Sequence, residues 1–376
     1  MNSPRVLLCG DIMPGGVLPY QQSYISPCLS TYLKGFDIRV GTLECAIGTD
    51  IAPAAEKLSD NGGNNNVCFA RDEDFFRVKE LGIDAVSLGN NHSFDMGEEG
   101  LKNTIGHLKS NGIGYFGAGM NKAEASAPYV VQTGGRVIAF IGCCIKGLLP
   151  KSLIPASENS YGVYQPSIDE LCKHIKSLKR KYEYLIIMPH WGEEHVLLPP
   201  VKCVEYARLM VDAGADGVFG SHSHCVSSSC FYKKKPICFG MGNFLYPDVC
   251  LTPPRPFYYP KSPDELKRMP KCLNYPKSVK KNTICVWGGD SRIGFLVEAI
   301  FDETIKTQIH LVRMSKNDVL SFYKDYSVIG SFLFGRIVLP ILDTIPKMPF
   351  YGFLYKVSFR ISRKVTCKFS DFRQNV

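Results

Sequence analysis

Short apolar runs rich in β-branched residues recur along the chain, each closing on glycine or a polar cluster. Val6–Cys9, Ile38–Leu43, Ala85–Leu88, Val137–Ile141, Tyr184–Met188, Gly217–Phe219, Ile237–Phe239 and Phe295–Ile300 have the length and composition of strands. Among them lie segments whose apolar residues return at three and four: Glu98–Ser110, Ile168–Lys181 and Lys202–Ala213. That spacing buries one face of a helix. The alternation predicts an α/β fold in which the C-terminal ends of strands feed functional loops.

Three regions break the rhythm. Ser59–Asn66 (SDNGGNNN) reads as a polar loop. Residues 248–288 carry seven prolines and eight Lys/Arg against three acidic residues, the composition of a long basic loop or lid. From about Asp318 the chain changes character. Tyr326–Ile345 is apolar but interrupted by Arg336, Pro340 and Asp343, and the last 31 residues hold seven Lys/Arg and a single acid, Asp371. The expected organisation is one domain over 1–315, with 248–288 inserted, and an apolar and basic helical extension over 316–376.

Composition narrows the class. With 45% hydrophobic and 21% charged residues, the 376-residue chain is neither disordered nor a coiled coil. A net charge of +9 favours anionic partners such as phosphate esters, acidic polymers or acidic lipids. Fifteen cysteines cannot all pair internally, and none stands in a C-x-x-C spacing. Cys9, Cys45, Cys143, Cys144 and Cys238 fall inside apolar runs, which reads as reduced core thiols in a cytoplasmic protein. No signal-peptide-length segment precedes Gly10, and no run of about 18 apolar residues predicts a membrane span.

The histidines carry the chemistry. Five of eight lie in three segments that each follow a strand: His92, then His190 with His195, then His222 with His224. Asp11 and Glu44 follow two further strands, and Asn90 and Asn91 precede His92. Strand ends converge on one edge of an open sheet, so these residues can meet. Carboxylate, amide oxygen and imidazole together suit one or two divalent cations. Such a site acidifies water and polarises a phosphoryl or carbonyl oxygen, and a nearby imidazole suits protonation of a leaving group. Several other chemistries lack their pattern. His190 and His195 do not have the HExxH spacing, no G-x-S-x-G elbow exists, and Gly10–Gly16 lacks the lysine of a phosphate loop.

The ordered motifs GDIMPGG (10–16), TLE (42–44), SLGNNHSFDMGEEGL (87–101), PHWGEEH (189–195), GSHSH (220–224) and GMGNFLYP (240–247) carry a resemblance. The chain resembles the poly-γ-glutamate capsule-biosynthesis protein CapA family, which is similar to calcineurin-like metallophosphoesterases. The likeness runs from about residue 5 to 247, more weakly to about 314, and leaves 248–288 and the C-terminal stretch outside it. It implies a four-layer α/β/β/α sandwich with the site at the strand ends. By motif it implies Asp11, Glu44, Asn91, His190, His222 and His224 as metal ligands, Glu44 as the bridge and His92 as the proton donor. It places Asn90, Glu194 and Asn243 beside the site, in contact with substrate or behind the ligands. The chain departs from the family's pattern at Met13, where metallophosphoesterases usually carry the histidine of Asp-x-His, and at Thr42, Ser221 and Gly16.

The expected function is metal-dependent hydrolysis of a phosphoester or amide in the making of an anionic capsule or cell-surface polymer, with Mn, Fe or Zn as the ion. The alternative is a non-catalytic accessory protein that binds such a polymer. Nucleic acid is not an expected partner, since basic residues and aromatics do not interleave as in RNA-binding motifs. For the C-terminal stretch two readings stand, docking on an acidic membrane and helices capping the domain, of which the second is preferred.

Overall fold

The computed structural model describes residues 3–49, 67–145, 147–148, 153–253, 256–276 and 278–324. Two mixed sheets form the centre. The first runs in the order Leu320–Phe322, Ile305–Met314, Ile293–Phe301, Arg5–Ile12, Ile38–Leu43, Ala85–Ser87 and Gly114–Phe116, with Asn243–Leu245 also paired to Arg5–Ile12. The second runs Ser229–Tyr232, Lys235–Cys238, Gly217–Phe219, Tyr184–His190, Arg136–Cys144 and Tyr129–Thr133. All eight expected strands are present in these sheets.

Alternation along each strand makes the layers. Val6 and Leu8 point between the sheets, where they meet Phe140, Ile186, Met188 and Phe219, while Leu7 points outward against Leu29, Leu101 and Leu108. Ile141 and Ile187 likewise face outward from the second sheet onto Leu171, Ile175, Ala207 and Met210. The helices Pro27–Leu33 and Gly97–Ser110 thus cover one outer face, and Ile168–Lys179 and Val201–Ala213 cover the other. The result is the α/β/β/α order. Truncating Leu8, which has no exposed surface, to Ala would cost about 2–5 kcal/mol.

Local signals fix the helix ends. Ser167 Oγ accepts from the Glu170 N–H at 3.3 Å, and Glu170 Oε2 accepts from the Ser167 N–H at 2.8 Å. This reciprocal cap starts Ile168–Lys179. Val201–Ala213 stops at Gly214, whose φ of 119° only glycine adopts readily. A second glycine shapes the site: a Cβ on Gly10 would lie 1.8 Å from the Gly242 carbonyl oxygen. Its absence lets Asn243–Leu245 run beside the end of Arg5–Ile12, bringing Asn243 opposite Asp11.

Two expectations are corrected. Residues 248–288 are not a loop. They hold a small sheet in the order Phe257–Tyr258, Val249–Leu251, Thr283–Val286, Lys271–Leu273, with a short helix at Pro263–Arg268. These strands are only two to four residues long, too short to stand out as runs, and the prolines sit between them or at the helix start. The expected boundary at 315 also falls inside the fold, because Leu320–Phe322 pairs with Ile305–Met314 in the first sheet. Ser59–Asn66 and the apolar and basic stretch from 325 onward lie outside the described residues. Among the described residues, no helix is long and apolar enough to cross a membrane.

Candidate metal centre

Strand ends from both sheets deliver the donor atoms. Asp11 lies at the end of Arg5–Ile12, Glu44 directly after Ile38–Leu43, and Asn90 to His92 after Ala85–Ser87. The second sheet supplies His190 at the end of its strand, and His222 and His224 beyond Gly217–Phe219. Asp11, Glu44, His190, His222 and His224 are buried, and Asn91 is half-buried.

Contacts centre on His190 and Glu44. His190 Nε2 lies 3.1 Å from Glu44 Oε1, 2.6 Å from Asn91 Oδ1 and 3.1 Å from His222 Nδ1. Its Nδ1 is 2.8 Å from Ser221 Oγ, which sets the ring. The other Glu44 oxygen, Oε2, lies 3.6 Å from His224 Nδ1, and Asp11 Oδ2 lies 3.9 Å from that same nitrogen. Asn243 Oδ1 is 3.0 Å from His224 Nδ1 and its amide donates to the Ser291 carbonyl at 2.8 Å. Among the described residues three donor groups have their atoms within 4.8 Å of one another, Cys68/His92/Asp95 and the two that meet at this centre, Glu44/His190/His222 and Asp11/Glu44/His224. Glu44 gives one oxygen to each of the last two.

The residues fit divalent cations on their own evidence. Asp11 Oδ1 and both Glu44 oxygens are buried without an aligned hydrogen-bond donor. The 3.1 Å approach of His190 to Glu44 is an ion-pair distance lacking that alignment. A buried carboxylate without a partner is costly, and a cation removes the cost. The nitrogen His190 Nε2 carries at most one hydrogen, yet two acceptor oxygens and a second imidazole nitrogen surround it.

Electrostatics point the same way. Burial raises the Asp11 carboxyl well above the usual range, and the charge of Glu44 adds to this. Burial also pushes Glu44 up, but His224 and His190 more than offset it and hold Glu44 below the usual value. His190 is lowered by burial, and His222 is lowered further by burial and its neighbouring imidazoles. Neutral imidazole is the form that binds a metal. His195, His222 and His224 all adopt left-handed backbone, with φ of 60°, 92° and 50°.

His92 stands apart from the two donor groups of this centre in a network of its own. Its Nδ1 is 2.7 Å from Asp95 Oδ2, which also accepts from the Cys68 N–H at 2.7 Å. Its Nε2 faces Cys68 Sγ at 3.8 Å. Burial alone would lower this imidazole, but Cys68 and Asp95 raise it well above its ordinary value. Asn90 fastens the loop, accepting from the His92 N–H at 2.9 Å and donating to the Leu43 carbonyl at 2.7 Å.

Other expected positions divide. Glu194 is exposed, next in sequence to the half-buried His195, and belongs to none of the donor groups. Met13 is buried in the outer core of the first sheet, its sulfur 3.2 Å from the Gly15 N–H, so it does not extend the donor set. Residues not foreseen include Asp95, Cys68, Ser291 and an aromatic wall in which Tyr246 and Trp287 pack 5.1 and 5.5 Å from the His224 ring. The spacing His92-x-x-Asp95 was a usable signal for the first. Cys68 had none.

Comparison with known proteins adds an independent finding. The family described as bacterial capsule synthesis protein PGA_cap matches residues 5–248. The capsule biosynthesis protein CapA of Bacillus anthracis is 31% identical over 252 residues, covering 64% of this chain and 59% of that protein. The PGA biosynthesis protein CapA of Bacillus subtilis (strain 168) is 28% identical over 170 residues, covering 45% and 44%. The chain thus spans between 44% and 59% of the length of these two relatives. Among solved structures, the NAD nucleotidase of Haemophilus influenzae aligns with a TM-score of 0.43 at 13% identity, over 97% of this chain and 60% of that one. A novel phosphatase from Mycoplasma pneumoniae aligns with 0.42 at 12%, over 87% and 98%.

Proposed function

The chain belongs to the bacterial capsule synthesis protein family PGA_cap, and from that membership and its donor cluster we propose a divalent-metal-dependent hydrolase that acts in making an anionic capsule or surface polymer. The substrate bond is a phosphoester or an amide. Glu44, His190 and His222 with Asn91 would hold one ion, and Asp11, Glu44 and His224 a second, of Mn, Fe or Zn. A divalent ion in such a donor set acidifies water and draws charge from a phosphoryl or carbonyl oxygen.

The chain's own residues do the rest. Asp95 accepts from Nδ1 of His92 and fixes the ring, leaving the Nε2 proton for the departing oxygen or nitrogen. Ser221 and Asn243 orient the His190 and His224 rings. The Tyr246 and Trp287 wall excludes water from one side of His224. The observation that carries the reading is the crowding of two acceptor oxygens and the His222 ring nitrogen around His190 Nε2 beside two unbonded Glu44 oxygens.

The test is metal content, measured on protein purified without chelator or metal-affinity resin. About one to two equivalents are expected, absent from His190→Ala. His92→Ala should keep its metal and lose about 10²–10⁴-fold in turnover of whichever phosphoester or amide the wild type cleaves. Failure to take up Mn²⁺, Fe²⁺ or Zn²⁺ would overturn the reading. A second reading, a polymer-binding accessory protein without turnover, is favoured by Met13, whose place in the core leaves the Asp11 group without the usual histidine. Polymer binding by both wild type and His92→Ala, with metal bound and no hydrolysis, would select it.

A further inference from the structure

The small sheet of 249–286 brings two thiols together, although their sequence positions match no paired-cysteine spacing. Cys272 and Cys285 are direct partners on the adjacent parallel strands Lys271–Leu273 and Thr283–Val286. Register partners project to the same face, and neighbouring strands lie about 4.7–4.9 Å apart. That spacing falls inside the Cα separation of about 4.4–6.8 Å that a disulfide spans. Both thiols also turn toward one acceptor, the Asn274 carbonyl oxygen, at 2.9 Å from Cys285 Sγ and 3.9 Å from Cys272 Sγ.

Access divides their roles. Cys272 is half-buried at the sheet edge, whereas Cys285 is fully buried against the core of the first sheet. The nearness of the two thiols lowers that of Cys272 and, with burial, raises that of Cys285. A half-buried, more acidic thiol backed by a fully buried one is the arrangement of an attacking and a resolving cysteine.

We propose that Cys272 and Cys285 are a thiol pair that closes to a disulfide when met by a small-molecule disulfide. The Cys272 thiolate attacks one sulfur of the oxidant, breaking its S–S bond and releasing one thiol. The Cys285 sulfur then attacks Cys272 and expels the second half. Two electrons pass to the oxidant, the two protein thiol protons end on the two released thiols, and one protein S–S bond forms. The closure staples the last two strands of the small sheet. Trp287 follows two residues after Cys285, with its backbone N–H held by Asp248 Oδ1 at 3.1 Å and its indole N–H by the Pro247 carbonyl at 2.8 Å. The staple therefore fixes the strand that carries the aromatic wall over His224.

The experiment uses the full chain, reduced and then equilibrated with oxidised glutathione. Intact mass should fall by two hydrogens, and a non-reducing peptide map should contain a Cys272–Cys285 linkage that dithiothreitol removes. Cys285→Ala should stop with one glutathione on Cys272. Trypsin cleavage after Lys267 and Arg268 should slow about tenfold in the oxidised wild type and recover on reduction. Free thiols at both positions, glutathione retained on wild-type Cys272, or linkage of Cys272 to Cys250 would each overturn the pairing. Equal cleavage rates before and after oxidation would overturn the staple.

Discussion

Among the described residues, two buried carboxylate pairs, Asp248 with Asp318 and Asp11 with Glu44, are provided for differently. Asp248 and Asp318 share Arg292, which contacts Asp248 Oδ1 through Nη2 and lies 3.3 Å from Asp318 Oδ1 through Nη1. Backbone donors complete the arrangement, Trp287 N–H to Asp248 Oδ1 at 3.1 Å and Asp248 N–H to Asp318 Oδ1 at 3.0 Å. Asp11 and Glu44 have, among the described residues, only histidines at ion-pair distance, and three of their oxygens have no donor. The first pair is a closed structural clamp between the small sheet and the first sheet. The second is left open for positive charge that the chain does not itself supply.

The comparison breaks most sharply at Arg292. Arg292→Met leaves two buried carboxylates facing one another and should cost about 3–5 kcal/mol in denaturant unfolding. A loss below about 1 kcal/mol would mean that the clamp is no more than a surface-like pair.

Titration separates the pairs next. Burial, and then the charge of Asp318, push Asp248 up to about 7. The folded state therefore keeps a proton that the unfolded chain releases near its ordinary value of 3.8. The sign follows: stability contributed by this group is full at low pH, falls as pH rises from about 4 to 7, and is level above. Asp318→Asn removes the second charge and should flatten the fall in a pH series of unfolding midpoints.

For the open pair the sign of a substitution should depend on metal. In chelator, Asp11→Asn removes a charge that burial and Glu44 disfavour and should stabilise by on the order of 1 kcal/mol. With metal at about a hundredfold its dissociation constant, the wild type gains about 2.7 kcal/mol that the variant does not, so the order reverses. Destabilisation by Asp11→Asn in chelator would make this pair structural after all. The smallest effect is expected at Ser221→Ala, which frees the His190 ring and should weaken metal binding about tenfold without altering the metal-free midpoint.

Much of this was legible before any coordinates. The parallel strands are contiguous apolar runs because helices or the opposing sheet bury both their faces, and their C-terminal ends and the turns just beyond carry Asp11, Glu44, His190, His222 and His224. Ile305–Met314 and Tyr129–Thr133 escaped because they alternate, with one face partly exposed, and so never form a run. The strands of 249–286 escaped because each spans only two to four residues, masked further by prolines and lysines that decorate their connections. Cys68 could not be inferred to touch His92. The two meet only because Phe69–Ala70 pairs with Ala46–Ile47, a long-range contact invisible to local pattern.

The left-handed histidines have a consequence for how an ion would arrive. A β-carbon in that region costs on the order of 1 kcal/mol per residue, borne at His195, His222 and His224 by the surrounding fold. Rings held this way do not wait for a cation to gather them, as they do in small domains that fold around zinc. The entropy of assembling the ligands has been spent during folding, so capture of an ion becomes a nearly rigid docking event. Metal-free protein should then keep its shape, and exchange of one divalent ion for another should be limited by how fast the first departs.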